Sequence, residues 1–378
     1  MLQMSVSFTL RFRLRAYRND GIYYNSIGTN MTALAQAIKK VATGPHLSKD
    51  LTQQESRLAM DEILSGKADL VQAAIFLIAL RMKRETDEEN LGLLQSIQSV
   101  TTQTSSKIDN LLIISDPFNG YNRHCPIAAF LPAVLAASGL PTITQGVKEM
   151  GPKFGVTHSQ VLEYAGVSTM LSVADATDRV NNSDIAWAYL DQAKTTPNLY
   201  ALQDLRTRII KRPSLATLEK LVMPIKAKNT YLQIGFVHKA YPPVLAWLAR
   251  QAGFASTLMV RGIEGGVLPT LREESNCFSE KKGIAVSYPV SPIEFGVQQD
   301  TRGVLPQQNE HVTVAETVEQ GLNALSGQSG AAFDSLVLGA AMALNHFELQ
   351  ASPQLAADHV RHVIKSGKAK AYFERGKD

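Results

Sequence analysis

Cysteine is nearly missing from this chain. Two residues among 378, Cys125 and Cys277, stand far apart and show no metal-like spacing. A disulfide framework and a cysteine-built zinc site are therefore excluded, and the sparse thiols fit a reducing, cytoplasmic compartment. Long apolar runs are absent too. None reaches the roughly 18 residues of a membrane span, so no membrane partner is expected. Charge is modest at 19%, with both signs scattered and a net of +4, while hydrophobic residues make up 45%. That balance excludes disorder and belongs to an ordinary globular protein. The length supports a large core, as two domains or one domain with a subdomain.

Residues 1–30 differ from the rest. Phe8, Leu10, Phe12 and Leu14 alternate with Thr9, Arg11, Arg13 and Arg15, and a period of two predicts a strand if it predicts anything. The segment is Arg-rich like a transit peptide but lacks helical amphipathicity, and it reads as an extension of a domain beginning near Met31. From there the pattern is helical. Thr52 with Glu55 and Thr86 with Glu89 are capping-box pairs, Gly66 is a helix terminator, and a helix is predicted over about 69–83. Residues 31–105 form a helical domain, with helices from about 177–225 packing on it.

After Ile108 the text changes to Leu111–Ser115, a short buried-strand run, then a loop, a helix of small residues from Pro126 to Ser138, and a strand near Pro141–Thr144. Thr230–Gly235, Ala240–Gly253 and Thr257–Val260 repeat the alternation, and helices are predicted from about Thr313, Ala331 and Pro353. The fold class is therefore α/β, with a mainly parallel sheet built from 106–176 and 226–378. Ligands are expected at the carboxyl ends of its strands.

Charge is concentrated in one place. Arg206, Arg208, Lys211, Arg212, Lys220, Lys226 and Lys228 face a single acid, Glu219, so 206–228 carries +6 and the remainder −2. Either this is a solvated helix face or it meets an anionic partner.

The segments Lys49–Glu89, Leu322–Leu344 and Ile364–Ala369 resemble, in order, the N-terminal and closing helices of the anthranilate phosphoribosyltransferase family, a glycosyltransferase family 3 type. The resemblance covers about 31–372. It implies the nucleoside phosphorylase/phosphoribosyltransferase type of fold, a small helical domain plus a larger α/β domain, and a homodimer through the helical part. It also implies a Gly-Thr-Gly-Gly-Asp turn and an Asn-Ile-Ser-Thr helix start that cradle the diphosphate of phosphoribosyl pyrophosphate through backbone N–H groups and hydroxyls. Here Asp116–Ala129 stands in their place, with Pro126, Ile127, Ala128 and Ala129 at the helix start. Thr144–Val147 replaces Lys-His-Gly-Asn, and Val267 and Leu268 replace the acidic pair that holds magnesium, which demands oxygen ligands. The Phe118–Gly120 turn with Arg123, and Gly262–Gly266, resemble instead the divergent second TrpD-type branch, which implies sequence-independent nucleic-acid binding.

Several residues are candidates on these grounds. Asn119, Tyr121, Asn122 and Arg123 form a polar rim or an ordinary Asn-Gly turn, with Gly120 at positive φ. Gly146 matches the glycine of the family's Lys-His-Gly-Asn, and His124 and His158 face the same cleft as acid–base or packing residues. Arg261 and Glu264 follow a strand end, where Glu264 accepts from a ribose hydroxyl or from Arg261 or Arg272. Arg123 next to Cys125 favours a thiolate, against burial as an inert thiol.

Three functions remain open. In the first, the chain has lost the anthranilate reaction and binds DNA or RNA through Arg206, Arg208, Lys211, Arg212 and Lys220, with no metal site and no certain cofactor. In the second it is an active glycosyl or phosphoribosyl transferase that uses magnesium and a sugar-phosphate ligand. In the third it is a structural dimer with a vestigial cleft.

Overall fold

The computed structural model describes residues 31–44, 46–308 and 310–377. The alternation at Phe8–Arg15 lies outside the described residues, and the chain from Ala33 onward forms one compact unit. Its helical part comprises α1 (Ala33–Val41), α2 (Gln53–Leu64), α3 (Leu70–Lys83) and α4 (Asp87–Ser99). Both capping boxes are formed. The hydroxyls of Thr52 and Thr86 accept from the N–H of Glu55 and Glu89, whose carboxylates return to the cap N–H groups. Glu89 does more than cap. Fully buried, it also accepts from Leu51 N–H at 2.8 Å and Lys83 Nζ at 2.9 Å, fastening α4 to the start of α2 and the end of α3.

Strands follow in the order β1 (Thr104–Ser105), β2 (Asn110–Ser115), β3 (Thr142–Gly146), β4 (Trp187–Asp191), β5 (Ile225–Lys226), β6 (Asn229–Gly235), β7 (Ser256–Val260), β8 (Ser275–Lys281) and β9 (Ile284–Val290). The main sheet runs β4-β3-β2-β6-β7-β8-β9, parallel from β4 to β7 and antiparallel at β8 and β9. The sheet is mainly parallel, as the βαβ pattern predicts. The span 177–225, read as helices packing on the helical domain, also contains β4, a fully buried edge strand of five residues. Helices Gln203–Ile209 and Leu215–Leu218 in that span pack on α3 and α4.

The period of two decides which core each strand residue joins. Leu112 and Ile114 point to one face, where Phe130, Leu131 and the long helix Ala331–His346 pack. Leu111 and Ile113 point to the other, whose apolar core is continuous with Phe76, Leu77 and Leu94 of the helical domain. A strand buried on both faces needs an unbroken apolar run, which is why Leu111–Ile114 shows no alternation. The parallel order also gathers the loops after β2, β3, β6 and β7 at one edge, beside α3 and the 203–220 segment. Among the described residues no helix is long and apolar enough to cross a membrane.

Candidate functional site

The site is organised by Asp116, the first residue past β2, whose side chain is 3% exposed. Its Oδ1 accepts from Tyr121 Oη and from the Val267 N–H, both at 3.0 Å, which joins the β2 loop to the β7 loop. His158 Nε2 lies 3.0 Å from Asp116 Oδ2, outside hydrogen-bond alignment, and its Nδ1 is 3.4 Å from Thr144 Oγ1. Tyr121 and His158 are thus buried beneath the loop. Neither side chain is on the cleft wall: Tyr121 does not form part of a rim, and His158 takes the packing place rather than the cleft-facing one, its Nε2 buried without a hydrogen bond among the described residues. Burial and the Asp116 carboxylate push the Tyr121 phenol well above its ordinary value.

Gly120 has φ 70° as expected, and a Cβ there would lie 2.3 Å from Gly155 O. The close approach lets Tyr121 and Val156 exchange backbone hydrogen bonds at 2.9 and 2.8 Å, zipping the β2 loop to the β3 loop. Gly146 is a packing position, where a Cβ would meet Tyr189 Oη at 3.1 Å.

Glu264 sits after β7 with its carboxylate 4% exposed. It accepts from the N–H groups of Asn122, Arg123 and His124 at 3.2, 3.0 and 3.0 Å, from His124 Nδ1 at 3.2 Å, and from Lys153 Nζ at 2.7 Å. Lys153 also donates to Gly120 O at 2.6 Å. Burial acts against the charge, but the bonds from His124 and Lys153 outweigh it and hold the Glu264 carboxyl far below the usual carboxylate range. The expected partners Arg261 and Arg272 are not its partners. Arg261 is exposed and outside the cleft wall, while Arg272 pairs with Glu273 at 2.8 Å.

These loops form one side of a cleft of about 880 Å³. Arg81, Glu85 and Asn90 of the helical domain line a second side, and the 206–220 segment lines a third. The basic segment divides by position. Arg206 turns inward to a bidentate pair with Glu219 at 2.6 and 2.8 Å, with 4% and 2% of the side chains exposed. Arg208 is exposed, 3.4 Å from Asp204, and absent from the cleft wall. Lys211 and Arg212 are exposed and line the cleft without a carboxylate partner among the described residues. Lys220 lines it too and donates to Gly235 O at 2.7 Å, and burial lowers its ammonium to about 8. The segment is therefore no single stripe.

Asn119, Asn122, Arg123 and Glu264 thus meet Arg206, Lys211, Arg212 and Lys220 in one cavity, joining the loop and the basic segment. The Asn119 amide nitrogen is buried there with no partner among the described residues. Asp116, Lys153 and Arg81 are the residues that sequence reasoning passes over as site groups. Lys153 is 111 residues from Glu264, and no local pattern signals such a contact. Cys125 is buried, and burial pushes its thiol up to about 11, so Arg123 does not make it a thiolate.

Residues 35–100 match the glycosyl transferase family, helical bundle domain. The anthranilate phosphoribosyltransferase of Methanobrevibacter smithii is 24% identical over 348 residues, covering 90% of this chain and 98% of its own. That of Desulfotalea psychrophila is 26% identical over 355 residues, covering 90% and 92%. Among solved structures, anthranilate phosphoribosyltransferase (TrpD) from Thermus thermophilus superposes with a TM-score of 0.74 at 19% identity, over 92% of this chain and 98% of that one. The Saccharomyces cerevisiae enzyme in complex with PRPP and Mg gives 0.72 at 16% identity, over 90% and 96%. At such identities the structures establish the shared fold.

Proposed function

This chain is an anthranilate phosphoribosyltransferase-like, TrpD-like family member, and from there we propose that its cleft binds the phosphodiester backbone of DNA or RNA and does not run the ordinary anthranilate reaction. One observation carries this reading. The cleft presents seven lysine and arginine side chains against three glutamates. Two of those glutamates are matched internally, Glu219 by Arg206 and Glu264 by Lys153. Burial raises the carboxyl of the third, Glu85. The excess falls on Arg81, Arg123, Lys211, Arg212 and Lys220, a local positive field suited to an extended polyanion rather than to a single carboxylate. Tyr241 adds a half-buried ring to the same wall, whereas Phe118 and Phe236 are buried beneath it.

Phosphoribosyl pyrophosphate with magnesium, held by the yeast enzyme, fits these residues poorly. Ile127, Ala128 and Ala129 are buried among the apolar residues under the loop. Val267 is fully buried, and Val267 and Leu268 offer no side-chain oxygen to a hard cation. These departures support placing the chain in the second TrpD-type branch.

We extend the proposal to a homodimer formed through the helical domain. The outer side of α3 exposes Leu70, Val71, Ile75 and Met82, opposite its buried Ala73, Phe76, Leu77 and Leu80. A helix apolar all round is normally covered on both sides.

Fluorescence anisotropy with short labelled DNA and RNA at low salt tests the function. Saturable binding that weakens in the Lys211→Ala/Arg212→Ala protein is expected. No binding to either strand type, together with magnesium-dependent binding of phosphoribosyl pyrophosphate, would overturn it.

A further inference from the structure

Three successive backbone N–H groups, those of Asn122, Arg123 and His124, converge on one anion, and that anion belongs to the chain. Glu264 Oε1 takes the bonds from Arg123 N–H, His124 N–H and His124 Nδ1, while Oε2 takes those from Asn122 N–H and Lys153 Nζ. Consecutive amides aimed at one point make an anion-binding concavity. A lysine and a histidine beside them add charge-assisted donors of the sort that hold phosphate oxygens. Five donors exceed what an ordinary surface ion pair gathers. Glu264 reaches them from a left-handed backbone, φ 52° and ψ 21°, a conformation few residues other than glycine adopt. Asn122, Arg123, Lys153 and Glu264 all line the cleft, so an ion in the cavity has access to the concavity.

We propose that Glu264 is the resident ligand of an oxyanion site. Its carboxylate occupies a cradle that otherwise takes a phosphate-class anion from the cleft, and by filling it Glu264 fixes the 122–124 turn and the placement of Arg123. The inference goes beyond nucleic-acid binding and does not rest on it, since its test contains no nucleic acid.

Two variants separate a filled cradle from an open one. Glu264→Gly removes the carboxylate and suits the left-handed backbone, whereas Glu264→Gln leaves the space filled by an uncharged amide. Each is compared with the parent protein by thermal melting and isothermal titration in sodium phosphate, sodium acetate and sodium chloride at matched ionic strength. The Glu264→Gly protein is expected to gain Tm in phosphate and acetate over chloride, with saturation, and to bind phosphate at least about tenfold more tightly than the parent. The parent and Glu264→Gln share a smaller response. Adding Arg212→Ala to Glu264→Gly leaves the gain in place, because the cradle does not use Arg212. Equal phosphate affinity in all three proteins would overturn the proposal. So would a Glu264→Gly protein that melts no higher in phosphate or acetate than in chloride, or one that stays unfolded in all three salts.

Discussion

Arg206 shows how a residue's charge and its role part company. In the sequence it heads the basic segment, yet its guanidinium is held by Glu219 in a buried bidentate pair, and Gln192 Nε2 adds a bond to the same carboxylate at 3.0 Å. Arg206→Ala leaves Glu219 buried and unpaired, and a loss of about 3–5 kcal/mol is expected in urea unfolding. Replacing both partners with apolar residues of similar volume costs much less. Glu264 offers a pH test. Its folded carboxyl lies below its unfolded value, so its stabilisation is present above the unfolded pKa of about 4.3 and is lost as pH falls toward the folded one. Parent protein is expected to lose stability on acidification below about pH 4 more steeply than Glu264→Gln. Identical acid limbs in the two melting profiles would contradict the carboxylate's ionised, multiply bonded state.

Element by element, the legible parts are those whose information is local. Thr52–Glu55 and Thr86–Glu89 specify helix starts within four residues, and the apolar run Leu111–Ile114 specifies a doubly buried strand. Two elements escape such a reading. β4 is five residues, Trp187–Asp191, in a stretch of mixed polarity, and its burial comes from pairing with β3 on one side and from packing contacts distant in sequence. The β8–β9 hairpin carries a signal, since Lys282 and Gly283 both take positive φ, 53° and 82°, in the two-residue turn between the strands. That is the geometry of a primed hairpin turn, but Lys-Gly is a weaker cue than Asn-Gly. The candidate site is half legible. Asn119, Asn122, Arg123 and Glu264 stand out because they follow strands, while Lys153 and the inward turn of Arg206 depend on partners that only the fold brings near. α3 carries its own prediction. If its exposed Val71 and Ile75 meet a second copy, Val71→Glu lowers the mass in light scattering from dimer to monomer while leaving the helical circular dichroism unchanged. A parent protein that is already monomeric would remove the dimer.

At the scale of the whole molecule, the parallel strand order is what turns separate sequence features into one site. It places the loops after β2, β3, β6 and β7 at a single edge, and the 203–220 segment and α3 close the cavity from the other side. Anion-binding capacity then divides in two. Near the loop it is met from within by Glu264, which takes the Arg123 N–H, and toward the mouth the exposed side chains of Arg123, Lys211 and Arg212 have no carboxylate partner among the described residues. Backbone binding there must release counterions, with log affinity falling against log salt by roughly 0.7 per phosphate for single strands. The most direct measurement is that slope for single-stranded DNA, in the parent and in Arg123→Ala/Lys211→Ala/Arg212→Ala. A linear dependence that becomes shallower by roughly 2 in the triple variant is the predicted result. An unchanged slope, or no binding by the parent at low salt, would contradict it.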